Sequence, residues 1–258
     1  DAFESEGYDR THMRMPQCQN TLISDITKVQ KNVVVVLHNG SPVEMPWADD
    51  VQGILEAYLC GEAVGQEEVD LLFGKANPCG KLAETVPYKL SDNPSYLYFP
   101  GDGKTVEYKE GVFVGYRYYD ARKMPVRWAF GHGLSYTEYE YSNLNMPAES
   151  LDDKGCVKVT VDVKNRGSMV GKEVVQLYVS DKNGTAGRPV KELKGFAKVE
   201  LQPGETKTVE FALTARDLSF YHEGLGDWYA PSGTYEVLIG HASDEIALRG
   251  ELSFTTEK

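Results

Sequence analysis

Val157, Val159, Val161 and Val163 alternate with Lys158, Thr160, Asp162 and Lys164, a spacing that a helix cannot use. Successive side chains of a strand point to opposite faces, so this run has one apolar face and one polar face. The same period returns at Val209, Phe211 and Leu213, and again at Tyr235, Val237 and Ile239. Asn165-Arg166-Gly167, Pro203-Gly204 and Pro231-Ser232-Gly233 punctuate the runs with residues suited to tight turns. Several short strands at that spacing predict two packed antiparallel sheets in the C-terminal region.

The N-terminal region is patterned differently. Pro16 can open a helix whose Leu22, Ile23, Ile26 and Val29 recur on one face, and the unbroken apolar run Val33 to Leu37 follows. A strand apolar at every position is one covered on both sheet faces, as in a parallel α/β layer. A second stretch, Gly53 to Tyr58, precedes a helix expected from about Glu62 to Phe73, which Gly74 and Pro78 end. The fold class expected is therefore α/β followed by all-β. A partial α/β/α sandwich occupies 1–87, an ordered connector rich in Pro, Gly and Tyr occupies 88–145, and an immunoglobulin-like or fibronectin-like β-sandwich occupies 146–258.

Composition narrows the function. The 258 residues carry 27 Lys+Arg against 39 Asp+Glu, a net charge of -12, which argues against nucleic acid as a partner because phosphate recognition needs a basic face. The Val33 to Leu37 run is strand-sized and falls far short of the roughly 18 apolar residues of a membrane helix, so no membrane partner is expected. Cys18, Cys60, Cys79 and Cys156 form no CxxC pair, and the five histidines do not join them at zinc-ligand spacing. No metal and no cofactor are expected, and widely spread thiols point to a reducing, cytoplasmic compartment.

The chemistry concentrates near the start, in Phe3-Glu4-Ser5-Glu6-Gly7-Tyr8-Asp9-Arg10. Glycoside hydrolysis needs a carboxylic acid that protonates a departing oxygen, and a Glu before Gly on a loop has the exposure and backbone freedom for that. The residues alone also fit a solvated acidic face, with Asp9 and Arg10 as a surface ion pair of little energetic value.

Ser5-Glu6-Gly7-Tyr8-Asp9-Arg10 resembles the acid/base segment of glycoside hydrolase family 3 β-glucosidases. The likeness continues at Asn39-Gly40-Ser41-Pro42-Val43-Glu44-Met45-Pro46-Trp47, at Asp70-Leu71-Leu72-Phe73-Gly74 with Asn77-Pro78-Cys79-Gly80-Lys81-Leu82, at Val114 to Asp120, and at Phe130-Gly131-His132-Gly133-Leu134-Ser135-Tyr136-Thr137. These segments stand in the family's order and end in what resembles its fibronectin type III-like domain. The resemblance implies that Glu6 is the general acid/base, with Glu4 as fallback, and that Tyr8, Asp9 and Arg10 orient the loop, Arg10 pairing a carboxylate. The family's nucleophile is an Asp on a (β/α)8 barrel, and no position here matches that motif. The resemblance therefore implies a C-terminal portion of a longer polypeptide, also suggested by a start at Asp1 without Met, whose partner is the barrel domain or chain of the same enzyme. The substrate implied is a β-glucoside, with β-xylosides as the alternative; a non-catalytic carbohydrate-binding or scaffold module is the alternative function. A homodimer through the sandwich is compatible with the sequence, which marks no interface.

Among the aromatics, Tyr96 and Tyr98 in Tyr96-Leu97-Tyr98-Phe99-Pro100 are the expected substrate-side contacts, because loops carry function. Trp47 and Trp128 could stack on sugars but fit core packing better. Arg117 with its neighbouring tyrosines fits a role in fastening the connector to another domain, His38 and His132 fit structural roles, and Cys60 and Cys79 fit small buried positions.

Overall fold

A computed structural model describes residues 3–147 and 150–256; Asp1 lies outside the described residues. The chain divides into two compact units. The first takes the described residues up to Leu72 together with Val86–Lys109 and Pro125–Trp128; the second takes Phe73–Thr85, Glu110–Met124 and the chain from Ala129 onward. The interval 88–145 is thus shared between the two.

In the first unit, helix α1 (Gln17–Val29) begins after Pro16, whose carbonyl accepts from the Gln19 and Asn20 amides. Strands β1 (Val34–Leu37) and β2 (Gly53–Glu56) pair in parallel from Val34↔Gly53 to Leu37↔Glu56, and helix α2 (Val64–Leu72) follows. Leu37, Val43, Trp47 and Ala48 form a core against which Met15, Ile23, Val35, Ile54 and Trp128 pack. Trp47 is buried in it and donates its indole N–H to Asn20 Oδ1 at 2.9 Å. Pairing of Val86 with Trp128, and a two-pronged Arg127 to Asp49 contact at 2.9 and 2.7 Å, bring the later segments into this unit.

One expectation fails here. Strand β1 is not covered along its length: Val34 is 54% exposed and only Leu37 is buried. The stripe on α1 is likewise open, with Leu22 60% and Val29 88% exposed. Helix α1 through Ile23 and strands β1 and β2 through Val35, Leu37 and Ile54 supply one packed face, and Leu22, Val29 and Val34 stay exposed outside it.

The second unit begins with helix α3 (Tyr116–Arg122) and continues through β3 (Tyr139–Asn145), β4 (Ser150–Asp152), β5 (Cys156–Asn165), β6 (Gly171–Asp181), β7 (Glu192–Leu201) and β8 (Thr206–Thr214). A short helix α4 (Ala215–Leu218), a hairpin of β9 (Phe220–His222) and β10 (Asp227–Tyr229), and strands β11 (Gly233–Gly240) and β12 (Ile246–Thr255) complete it. A five-stranded sheet ordered β4-β12-β11-β6-β7 faces a three-stranded sheet ordered β3-β5-β8. The four alternating valines of β5 are buried between the sheets with Val175, Leu177, Tyr235, Val237, Ile239 and Phe254, so the period-2 pattern marks the inner faces as expected.

Strand β6 is buried on both faces. Its outer side, at Tyr178, meets Tyr116 edge-on and packs with Leu238, Phe130 and Leu193. Residues 129–133 run so close that a Cβ on Gly131, whose φ is +85°, would stand 2.2 Å from Gln176 Oε1. Only glycine tolerates both that approach and that backbone. Arg117 reaches Glu192 at 3.9 Å, and the Leu193 amide donates to the Tyr116 hydroxyl at 2.8 Å, so α3 is fastened to the sandwich of its own unit.

Candidate active site

The loop carrying the two glutamates is rooted on the turn beyond the C-terminal end of β1. The Glu44 amide donates to the Met13 carbonyl at 2.8 Å, and Arg14 and Glu44 form a parallel bridge. Asn39 holds the turn by donating to the Ser41 carbonyl at 2.9 Å. Outside the carboxyl ends of parallel strands is where open α/β sheets bind ligands.

Glu4 fastens the loop to that turn. One of its oxygens accepts from Arg10 at 2.8 Å and from the Ser41 hydroxyl at 3.2 Å, and the other accepts from the Gly40 amide at 2.8 Å. Arg10 also donates to Ser41 Oγ at 2.6 Å. Arg10 therefore pairs Glu4, six positions back, rather than its neighbour Asp9, which is exposed. Gly7 has φ +96°, a value that favours glycine, and the chain reverses there. Glu6 stands exposed on the turn, and among the described residues no hydrogen bond or ion pair holds its carboxylate.

A cavity of about 1120 Å³ opens over this loop; Glu4, Glu6, Tyr8, Arg10 and Ser41 contribute to one wall, and Tyr96 and Phe99 to the other. The second wall is a run of turns in which the Tyr98 and Phe99 amides both donate to the Ser95 carbonyl at 2.9 Å. Further along, the Lys104 and then the Thr105 amide donate to Asp102 and hold its carboxyl below the ordinary carboxylate range. Tyr98 does not line the cavity; its ring lies 5.0 Å from Lys109 Nζ. Phe99, next along, takes that place. Spacing could not separate the two, because the tight turns around Ser95 decide which ring faces inward.

Other candidates fall elsewhere. Trp47 and Trp128 belong to the core of the first unit. His38 directly follows β1 and lies 2.7 Å from Glu68. Cys60, expected buried, is exposed because it sits on an open bend after β2, where its thiol donates to the Ala57 carbonyl at 2.5 Å. Among the described residues no three His, Cys, Asp or Glu side chains are grouped to hold a metal ion.

The family model described as the glycosyl hydrolase family 3 C-terminal domain matches residues 1–116, and the fibronectin type III-like domain model matches 173–243. Thermostable beta-glucosidase B of Acetivibrio thermocellus is 55% identical over 249 residues, covering 96% of this chain and 33% of that protein. The chain belongs to glycosyl hydrolase family 3. Among solved structures, the family 3 chain superposes on the β-glucosidase of Kluyveromyces marxianus in complex with glucose with a TM-score of 0.91 at 42% identity, over 97% of this chain and 30% of the other. It superposes on the GH3 β-glucosidase of Bifidobacterium adolescentis with a TM-score of 0.94 at 40% identity, over 98% of this chain and 37% of the other. This family 3 chain spans about a third of the length of the relatives it matches.

Proposed function

We propose that this family 3 chain supplies the general acid/base of a retaining β-glucosidase, with Glu6 as that group and an Asp nucleophile on a barrel-bearing segment of the same enzyme. The observation that carries the reading is the different placement of two glutamates two positions apart. Both oxygens of Glu4 are turned to donors, whereas Glu6 is exposed at the cavity mouth. A general acid must be free to approach the leaving oxygen to within hydrogen-bond reach.

The chemistry follows from that placement. Glu6 protonates the glycosidic oxygen as the bond to the anomeric carbon breaks, while the nucleophile attacks from the opposite face to give a glycosyl-enzyme intermediate. Glu6, now a carboxylate, then deprotonates the water that releases the sugar. Retention requires the two carboxyl groups about 5–5.5 Å apart, so the barrel segment must bring its Asp against this loop. Tyr8, Tyr96 and Phe99 line the cavity, and in this reading their rings pack on the C–H faces of a bound glycoside. The open faces of α1 and β1 are the surfaces we assign to the remainder of the polypeptide. The glucoside preference follows the names of the relatives.

The test combines the chain with the barrel-bearing segment and assays 4-nitrophenyl β-glucoside and β-xyloside. The chain alone is expected to be inactive and the assembled enzyme active, with Glu6→Gln lowering kcat by about 10²- to 10⁴-fold on a substrate with a poor leaving group. Unchanged turnover in Glu6→Gln would remove Glu6 from the role. An assembled enzyme that binds glucosides without turning them over would support the non-catalytic alternative, and faster xyloside turnover would move the substrate.

A further inference from the structure

Glu4 makes contacts out of proportion to a residue on an exposed loop. Its carboxylate joins a guanidinium 6 positions away and a backbone amide and a hydroxyl 36 and 37 positions away. Arg10 closes the set from the other end of the loop, reaching both Glu4 and Ser41. The two ends of the Glu4 to Arg10 segment are thus drawn to one point on the turn after β1, and Glu6 lies between them. Charge-assisted hydrogen bonds of this kind are short and directional. A displacement of about 1 Å in a catalytic group can cost 10²-fold in rate.

We infer that Glu4, Arg10 and Ser41 form a positioning clamp that holds Glu6 at the height from which it transfers its proton, and that Glu4 itself carries no proton in the reaction. The inference rests on the acid/base reading of Glu6 and adds to it a structural cause: Glu4 and Arg10 pin the segment on either side of Glu6, whose carboxylate is held by no hydrogen bond or ion pair among the described residues. Asn39-Gly40-Ser41 thereby gains a function, since the Gly40 amide and Ser41 hydroxyl are the fixed end of the clamp.

Two measurements test it. In the chain itself, hydrogen exchange at the Gly40 amide and ¹⁵N relaxation over residues 3–12 are compared for wild type, Glu4→Ala, Glu4→Gln, Arg10→Lys and Ser41→Ala. Glu4→Ala is expected to speed Gly40 exchange at least tenfold and to mobilise the loop, leaving β5 and β11 exchange unchanged, with Glu4→Gln partly restoring protection. In the assembled enzyme, kcat/KM is measured for 2,4-dinitrophenyl and methyl β-glucosides. Loss of acid positioning is expected to lower the methyl substrate at least tenfold more than the dinitrophenyl one.

An equal fall for both substrates would mean general damage to the fold and would overturn the inference. Unchanged Gly40 exchange in Glu4→Ala would overturn it as well. Strong leaving-group dependence in Glu4→Ala with an undisturbed loop would instead make Glu4 the acid. If Glu6→Gln itself shows no leaving-group dependence, the acid/base reading fails, and the clamp is then decided by Gly40 exchange and loop relaxation alone.

Discussion

Glu173 is the residue on which the second unit's electrostatics turn. It is buried in β6, where Lys81 lies 3.4 Å away, His241 Nδ1 2.9 Å away, and the Tyr141 hydroxyl donates to it at 2.8 Å. Burial pushes its carboxyl up, but the His241 hydrogen bond, the Lys81 charge and the Tyr141 hydrogen bond together outweigh that and hold it below the ordinary glutamate value. The Tyr141 hydroxyl is pushed up by the same burial and by the Glu173 charge. A carboxyl held lower in the folded chain than in the unfolded one stabilises the fold above its unfolded value of about 4.3 and loses that contribution as pH falls through the folded value. His132, which burial holds below the ordinary histidine value, acts in the same sense from about pH 6.5 downward, because the unfolded chain takes the proton first. Stability is therefore expected to fall on acidification in two stages. Lys81→Met leaves the buried carboxylate without its lysine and is expected to cost about 3–5 kcal/mol at pH 7. That deficit should narrow at pH 4, where protonation removes the unbalanced charge. Urea unfolding of wild type and variant at both pH values checks it, and equal deficits would contradict the network.

At the scale of elements, the informative contrast is between β5 and β6. Strand β5 has one face in the core and one partly in water, so its alternation is plain in the amino-acid order. Strand β6 lies between β11 and β7 and is covered outside by Tyr116 and Phe130, so Gln176 and Tyr178 are buried opposite Val175 and Leu177. Alternation is lost there because both faces need dry partners. Leu177→Ala is expected to cost about 2–5 kcal/mol through the cavity it leaves. Phe196→Ala on the neighbouring β7, where the ring is 69% exposed, is expected to stay within about 0.5 kcal/mol. Denaturant midpoints of the two variants measure the difference, and comparable losses would mean that β6 is not the strand on which the sandwich depends.

For the whole molecule, the open stripe of α1 is the feature that most affects behaviour in solution. Leu22, Ile26 and Val29 lie on one side of the helix and are exposed, while Ile23 turns into the core of the first unit. An apolar stripe of this kind invites association. Replacing Leu22 and Val29 together by Glu is expected to leave the unfolding midpoint of the isolated chain nearly unchanged, within about 0.5 kcal/mol per site. It should reduce self-association seen by sedimentation and, under the proposed function, weaken capture of the barrel-bearing segment. Loss of folding in the double variant would mean that the stripe is already buried within the chain.

The amino-acid order by itself determined the two kinds of sheet, because the unbroken run of β1 and the alternation of β5 suit a parallel and an antiparallel sheet, although it did not tell that β1 has an open face. It also marked the Glu4 to Arg10 stretch as the candidate site, since Glu6-Gly7 sets a carboxylate beside a residue free to take positive φ. It could not show that residues 88–145 divide between two units, because their turns and aromatics follow no period and depend on distant partners. Nor could it show that Glu4 is the glutamate fastened to the turn after β1, or that Phe99 rather than Tyr98 lines the cavity. Those distinctions rest on contacts between residues tens of positions apart, and only the folded chain brings Gly40 and Ser41 to Glu4.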